Sequence, residues 1–365
     1  MLAAFIMAGG SGERFWPLST KEKPKQLLKL IDEDRSLIKM TVDRVLPIIS
    51  ADKIFIGTNA IQAEAIRKEL PELPYENIIV EPAFKDTAAA IGYGAVKIKE
   101  KLKENQITMV VLASDHIIKN EDNFRKRIVG ASEIALKTNS IITLGIKPNK
   151  PETGYGYIEV KDAYIGEPSQ VIRFWEKPNL ERAEEYVEAG NYLWNSGMFV
   201  IGLDTIMESF KKYMPRHFEI FNKISELNNK NLEIEDKDKE LKILFEKFEK
   251  ISIDFGIMEK AQNIQVIPVD FGWNDVGSYP ALDEVLEHNE NGTINRAKEL
   301  IEIGSKNNII IGTKKIIATI GLEGLVVVET KDALLVCRKE RAQDIKKVLK
   351  EIAERAKIFE NKKGE

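Results

Sequence analysis

The chemistry in this chain is concentrated in a few short stretches. A run of Ala and Ile leads into Gly9-Gly10-Ser11-Gly12-Glu13-Arg14. Glycines let a backbone turn sharply and bring bare amide N–H groups close to an anion. The next basic residues are Lys21, Lys23 and Lys25. Arg grips phosphate oxygens as a fork, and Lys supplies a mobile point charge. A polyphosphate suits this set, with Arg14 after the turn and Lys25 opening the next element as its cations. Lys21 reads as plain surface charge. Two other phosphate loops are excluded: a dinucleotide fingerprint needs glycine where Phe15 stands, and a Walker loop needs Gly-Lys-Ser/Thr.

A second stretch, Val110-Val111-Leu112-Ala113-Ser114-Asp115-His116, reads as a buried strand ending in an acid. A carboxylate there is a natural Mg²⁺ ligand, since Mg²⁺ takes one or two carboxylates plus phosphates and water. The second carboxylate is expected from Asp275 in Trp273-Asn274-Asp275-Val276-Gly277, with Asp270 as the alternative. Ser114, Asp115 and His116 are not a hydrolytic triad, because neighbours on an extended chain alternate faces. His116 reads as a packing or capping residue.

Elements must hold these groups in place. Strands are expected at Ala3–Met7, Lys53–Gly57, Asn77–Val80, Thr108–Ala113 and Ser140–Ile146. Helical patterns fall between them, at Lys25–Val45, Gln62–Leu70, Thr87–Lys103 and Asn123–Lys137. Such alternation means an α/β fold with a mostly parallel, mixed sheet covered by helices, whose ligands sit at the carboxyl ends of strands. Shorter extended pieces follow at Tyr157–Val160, Val171–Trp175, Met198–Gly202 and Gln265–Val269, with residues 204–250 helical. Beyond residue 290 five short strands are expected: Glu299–Ile303, Asn308–Ile311, Ile316–Ile320, Leu325–Glu329 and Ala333–Cys337. The pairs Ile303-Gly304, Ile311-Gly312 and Ile320-Gly321 suggest an irregular β-helix-like cap, closed by a helix over 340–357. The division expected is residues 1–285 as a catalytic domain and 286–365 as a small β-rich domain.

Composition bounds the function. The 365 residues are 31% charged and 43% hydrophobic, with net charge −4, which disfavours a nucleic-acid or anionic-membrane coat. One cysteine, Cys337, excludes a disulfide framework and a cysteine-based zinc site, and three separated histidines argue against a multi-histidine metal site. No apolar run approaches the roughly 20 residues that span a bilayer. The first residues lack the basic region of a signal peptide, so a cytoplasmic location is expected.

Taken in order, GGSGERFWPLS, KPKQ, LASDH, TGYGYIE, FWEKP, NSGMF, SIDFGIMEK and FGWNDVGS closely resemble the sugar-nucleotide pyrophosphorylases. Within that family they resemble the mannose-1-phosphate guanylyltransferase (GDP-mannose pyrophosphorylase) branch. The resemblance is dense over residues 1–280 and looser beyond. It implies a Rossmann-like nucleotidyltransferase domain with a short left-handed β-helix tail. It also implies the Mg²⁺-dependent reaction of GTP with mannose 1-phosphate, giving GDP-mannose and pyrophosphate. On the matching positions, Gly9, Gly10, Ser11, Gly12, Arg14 and Lys25 would hold the triphosphate, and Asp115 and Asp275 the metal. Gly154, Glu176, Lys177 and Asn195 would line the sugar-phosphate site. Thr87 and Ser114 would join the nucleotide site. The family's nucleoside segment reads Glu81-Pro82-Ala83-Phe84-Lys85-Asp86-Thr87 here, and Lys85 and Asp86 depart from it. Glu81 is a natural guanine reader, because a carboxylate accepts from both N1–H and the 2-amino group. Many relatives also carry an isomerase domain, which this chain is too short to hold, so a single activity is expected. Two alternatives are a non-catalytic nucleotide-binding subunit of the same fold and a pyrophosphorylase for another hexose 1-phosphate. Edge strands in the tail point to a homodimer.

Overall fold

The computed structural model describes residues 1–228, 230 and 232–363, and the chain in it divides into two compact units. The first comprises Met1–Gly9, Thr41–Ser114 and Ile118–Trp273; the second comprises Gly10–Met40, Asp115–Ile117 and the chain from Asn274 on.

The first unit is built on a mixed sheet. Its strands are β1 (Leu2–Met7), β2 (Ile54–Asn59), β3 (Ile78–Glu81), β4 (Thr108–Ala113), β6 (Ile141–Ile146), β7 (Tyr157–Val160), β8 (Ser169–Trp175), β9 (Tyr192–Gly202) and β10 (Ile264–Val269). Two-residue strands β5 (Ile117–Ile118) and β11 (Trp273–Asn274) lie where the chain passes between units. The sheet runs β3-β2-β1-β4-β9-β6-β10-β8-β7. Residues Ala3, Ala4, Phe5 and Ile6 are all buried, and β1 shows no apolar–polar alternation because both its faces are covered. It pairs in parallel with β2 and β4, and Met7 lies opposite Gly57 and Ala113. Both β1 and β4 therefore release their chains at one edge of the sheet.

Parallel pairing needs crossovers, and helices α2 (Ala60–Glu69), α3 (Asp86–Leu102) and α4 (Glu121–Thr138) supply them. Asn59 caps α2 by accepting from Ile61 and Gln62 N–H at 3.0 and 3.2 Å. Asn120 caps α4 through the N–H of Asn123. Strand β9 is longer than its expected Met198–Gly202 core and runs antiparallel to β4 and β6. Its register breaks opposite Thr143–Gly145, where Gly197 adopts φ 68° and its N–H reaches Asn195 Oδ1 at 3.1 Å. Pairing resumes beyond the irregularity, with Asn195 opposite Gly145. Helix α5 (Leu180–Ala189) lies before β9. The expected helical region 204–250 holds α6 (Leu203–Tyr213), α7 (Pro215–Asn228) and α8 (Ile234–Glu246), while residues 229 and 231 lie outside the described residues.

The expected helix Lys25–Val45 is corrected. Only a short 3₁₀ turn, Lys25–Leu27, and α1 (Leu37–Val45) are helical. Between them Leu28 and Leu30 are buried while Lys29 is exposed, a period of two. Asp32 then closes a turn by accepting from Asp34 and Arg35 N–H, both at 2.9 Å. The local carboxylate–backbone bonds outcompete helix.

In the second unit, β12 (Ile294–Ile303), β13 (Ile309–Ile320) and β14 (Leu325–Glu329) stack in parallel, and β15 (Leu334–Arg338) returns antiparallel. Consecutive parallel strands joined by short corners are coils of a β-helix. The expected segments 308–311 and 316–320 form one strand, because pairing with β12 continues past a register shift between Ala297 and Glu299. Gly304 and Gly321 turn the corners at φ 62° and 64°, one coil apart, whereas Gly312 sits within β13. The repeat is therefore a full coil, not the shorter spacing read from sequence. Asn308, fully buried, donates to Leu322 C=O at 3.1 Å and accepts from Leu325 N–H at 2.9 Å. Leu322 C=O also accepts from Lys306 N–H, so Asn308→Ala leaves only the Leu325 N–H without its acceptor, and is expected to lower stability by about 1–3 kcal/mol in urea unfolding. The chain continues through a turn at Lys339–Asp344 into α9 (Ile345–Lys363).

Candidate functional site

The polyphosphate residues expected from sequence largely fall together in the second unit. Gly12 adopts φ 62°, and a Cβ there would lie 2.7 Å from Lys25 N. Glycine is needed at this position on both counts. The turn is pinned by Ser19 Oγ donating to Gly12 C=O at 2.8 Å and by Gln26 Nε2 donating to Gly10 C=O at 3.3 Å. Phe15, buried among Leu28, Tyr279 and Ile309, anchors it to the core.

Lys25 is buried, and its ammonium is held at 2.7 Å from Asp275 C=O and 3.0 Å from Asp115 Oδ2. A cleft of about 300 Å³ opens over these groups and is also lined by Ser11, Arg14 and His116. Burial works against the Asp115 carboxylate, but the charges of Lys25 and His116 and the Lys25 hydrogen bond outweigh it. Its pKa therefore lies below the ordinary range, and the group is an anion at neutral pH. Arg14 Nε is buried without a hydrogen-bond partner. A buried guanidinium N–H without an acceptor is costly, and an anion in the cleft would satisfy it.

Both carboxylates assigned to the metal, Asp115 and Asp275, line this cleft, and Asp270 does not. Among the described residues no cluster of three or more His, Cys, Asp or Glu could cage an ion. Two carboxylates beside a phosphate-sized cleft fit an ion that draws its remaining ligands from phosphate and water.

The remaining candidates lie in the first unit, apart from Gly10. Gly9 ends the segment after β1. Ser114 is buried; its N–H donates to Met7 C=O, and its C=O accepts from Thr41. Thr87 accepts from Ile253 N–H at 2.9 Å and so ties α3 to the 251–258 segment. Glu81 closes β3 opposite Asn59, and burial pushes its carboxyl up to about 7. Lys85, which departs from the family pattern, donates to Glu246 C=O at 2.8 Å. Asp86 adopts φ 68°, and its Oδ1 accepts from Thr87 N–H at 2.8 Å.

Asn195 and Glu176 are brought together by a residue that sequence reasoning did not single out. Asp254 accepts from Asn195 Nδ2 at 2.8 Å. Burial raises its pKa, and the neighbouring acids Glu176 and Asp86 raise it further. A Cβ on Gly156 would lie 3.0 Å from Glu176 Oε2, so this glycine lets the chain approach the cluster. Gly154 stands away from it, with its N–H on Glu152 Oε1. Lys177 is mostly exposed and pairs with Glu176 Oε1 at 2.8 Å. Tyr155 packs edge-on against Trp194 and Trp273, closing an aromatic wall. The signal for Asp254 was its place in the quoted SIDFGIMEK run.

A sequence profile of the family described as nucleotidyl transferase matches residues 3–292. A profile described as MannoseP isomerase/GMP-like beta-helix domain matches residues 298–352. The mannose-1-phosphate guanylyltransferase of Escherichia coli (strain K12) is 37% identical over 354 residues, 95% of this chain and 72% of that protein. A namesake from Salmonella typhimurium is 36% identical over the same shares. A solved structure from Thermus thermophilus, described as a mannose-1-phosphate geranyltransferase, is 29% identical with a TM-score of 0.85, covering 96% of this chain and 99% of that one. Members of the nucleotidyl transferase family generally use a divalent metal. Among the described residues no helix is long and apolar enough to cross a membrane.

Proposed function

Because the chain belongs to the nucleotidyl transferase family, we propose that it is an enzyme that transfers guanylate from GTP to mannose 1-phosphate, releasing pyrophosphate. The observation that carries this is the buried Lys25 ammonium fixed between Asp115 and the Asp275 carbonyl, beneath a glycine turn whose Arg14 Nε lacks a partner.

The sugar phosphate is already an anion, so no strong general base is required. The barrier lies in bringing two anions together and in stabilising charge on the α-phosphate and the departing pyrophosphate. Amides of Gly9, Gly10, Ser11 and Gly12 cradle the triphosphate. Arg14 and Lys25 neutralise the leaving group. Asp115 and Asp275 hold Mg²⁺, which when bound draws charge off the phosphate oxygens. Lys177 turns from Glu176 to the incoming sugar phosphate and orients it in line with the bond that breaks. Glu176, Asn195 and Asp254 pair with sugar hydroxyls, and Glu81 reads guanine. Thr87 shapes the nucleoside end through its bond to Ile253, and Ser114 sets where the chain leaves β4. Gly154 loosens the loop that carries Gly156. Cys337 as a free thiol suits a reducing cytoplasm. Exposed Ile303, Ile316 and Ile320 on the tail suit a homodimer.

Purified protein is expected to release pyrophosphate from GTP with mannose 1-phosphate, only with a divalent ion. ATP, dTTP and glucose 1-phosphate should serve poorly. Equal turnover of all nucleotides and sugars would remove the substrate assignment. Tight GTP binding without any pyrophosphate release would favour the non-catalytic alternative.

A further inference from the structure

The cleft in the second unit is lined by one basic residue that the reaction above does not use. Lys346 lies on the first turn of α9, more than three hundred residues from Gly12 in sequence, yet lines the same cleft. Packing puts it there: Ile345, its neighbour, is buried in the cluster that also buries Phe15 at the end of the glycine turn. Its neighbours Lys347 and Lys350 are not among the lining residues. Lys347 pairs with Asp344 instead. Among the described residues Lys346 has no partner acid.

The charges explain what it is for. Glu13, Asp115 and Asp275 are the acids of the lining, and Arg14, Lys25 and Lys346 are its full cations, with His116 beside them. Counting the carboxylates against Arg and Lys alone, before any metal binds, the lining without Lys346 carries one negative charge in excess, which is the wrong sign to draw in a triphosphate. With it the wall is balanced. Lys25 shares its charge with Asp115 and the Asp275 carbonyl, whereas Lys346 brings a cation to the lining that no acid among the described residues shares.

We propose that Lys346 is a third phosphate-binding cation of this cleft and contacts the pyrophosphate end of the nucleotide, so that the C-terminal helix is part of the substrate site. The inference rests on the reading of the reaction given above. It makes the glycine turn and the last helix two walls of one anion pocket. The contact forms in the ground state and persists on the product, so it acts on binding of GTP and of pyrophosphate alike.

The test compares Lys346→Met, Lys346→Arg and Lys350→Met with the wild-type chain. Lys346→Met is expected to raise KM for GTP, and for pyrophosphate in the reverse reaction, about tenfold, the value of one partly screened charge. KM for mannose 1-phosphate should stay within about twofold, since only the nucleotide's contacts change. Lys346→Arg should recover most of the loss and Lys350→Met should match wild type. Calorimetric titration with GTP should show the same order, with the Lys346→Met difference shrinking as salt is added. Unchanged GTP and pyrophosphate constants in Lys346→Met would overturn the inference, as would an equal loss in Lys350→Met. If the wild-type chain makes no sugar nucleotide, the reading of the reaction fails, while GTP titration of the four proteins still decides the role of Lys346.

Discussion

Lys25→Met is expected to lower kcat for pyrophosphate release by about 10²–10³, the usual loss when one preorganised electrostatic donor is removed. The size follows from its two contacts. Its ammonium sits 3.0 Å from Asp115 Oδ2 and 2.7 Å from Asp275 C=O, so it fixes both residues assigned to the metal. The same charge lines the cleft proposed to hold the departing pyrophosphate. Met keeps the apolar bulk of the buried stem, while the ammonium that lies 5.7 Å from the Phe15 ring centroid is lost. Asp115 loses the cation that held its pKa down, and burial is then opposed only by the His116 charge and a backbone hydrogen bond. Its carboxyl should titrate at higher pH, and the pH–rate profile should move its acid limb upward. Binding of mannose 1-phosphate, measured by titration, should be little altered. A loss smaller than about tenfold in kcat, or an equal loss in sugar affinity, would remove Lys25 from the proposed role.

Glu81→Gln is expected to abolish most of the preference for GTP over ATP, a change of about 10²-fold or more in the ratio of kcat/KM. A carboxylate accepts from guanine N1–H and the 2-amino group together. A carboxamide has one acceptor and presents a donor where the other was. Burial pushes the Glu81 carboxyl up to about 7 from an ordinary 4.5, so the free protein holds it partly protonated at neutral pH. Two opposite trends follow. The folded state retains its proton more tightly than the unfolded chain, so the stability it confers is full below pH 4.5 and is lost as pH rises to about 7. The total is at most about 3 kcal/mol. Gln carries no such penalty, so the variant should be more stable than wild type at pH 8, with the gap closing towards pH 4.5. Guanine recognition needs the anion, so wild-type kcat/KM for GTP should climb through pH 7 while the variant stays flat. An unaltered GTP preference, or a variant less stable at pH 8, would end this assignment.

The strands around the site were readable because their physics is local. Thr108–Ala113 is an unbroken apolar run because both faces are buried, and its bounds in the structure match those read from sequence. The glycine turn was readable because Gly12 needs a positive φ and has no room for a Cβ. Three things were not legible. The segment after Lys25 carries helix-forming residues, but Asp32 binds backbone N–H groups and Leu28 and Leu30 alternate into the core. Helix α5 carries end signals only, Asn179 as N-cap and Gly190 in the left-handed region, on a short segment that buries just Ala183 and Tyr186. Asp254 and Lys346 could not be placed by spacing, because Asp254 meets Asn195, and Lys346 is set by Ile345 packing in one cluster with Phe15, contacts between residues distant in sequence.

Phe15 shares its hydrocarbon surroundings with Ile294, Ile309, Val326 and Ile345, which come from the β-helix coils and the last helix. The glycine loop is thus upholstered by the far end of the polypeptide. A fragment cut before those coils keeps every loop residue yet strips the loop's backing. Loosening a coil, as Asn308→Ala does, should therefore register first as slackened grip on the nucleotide, ahead of any global melting.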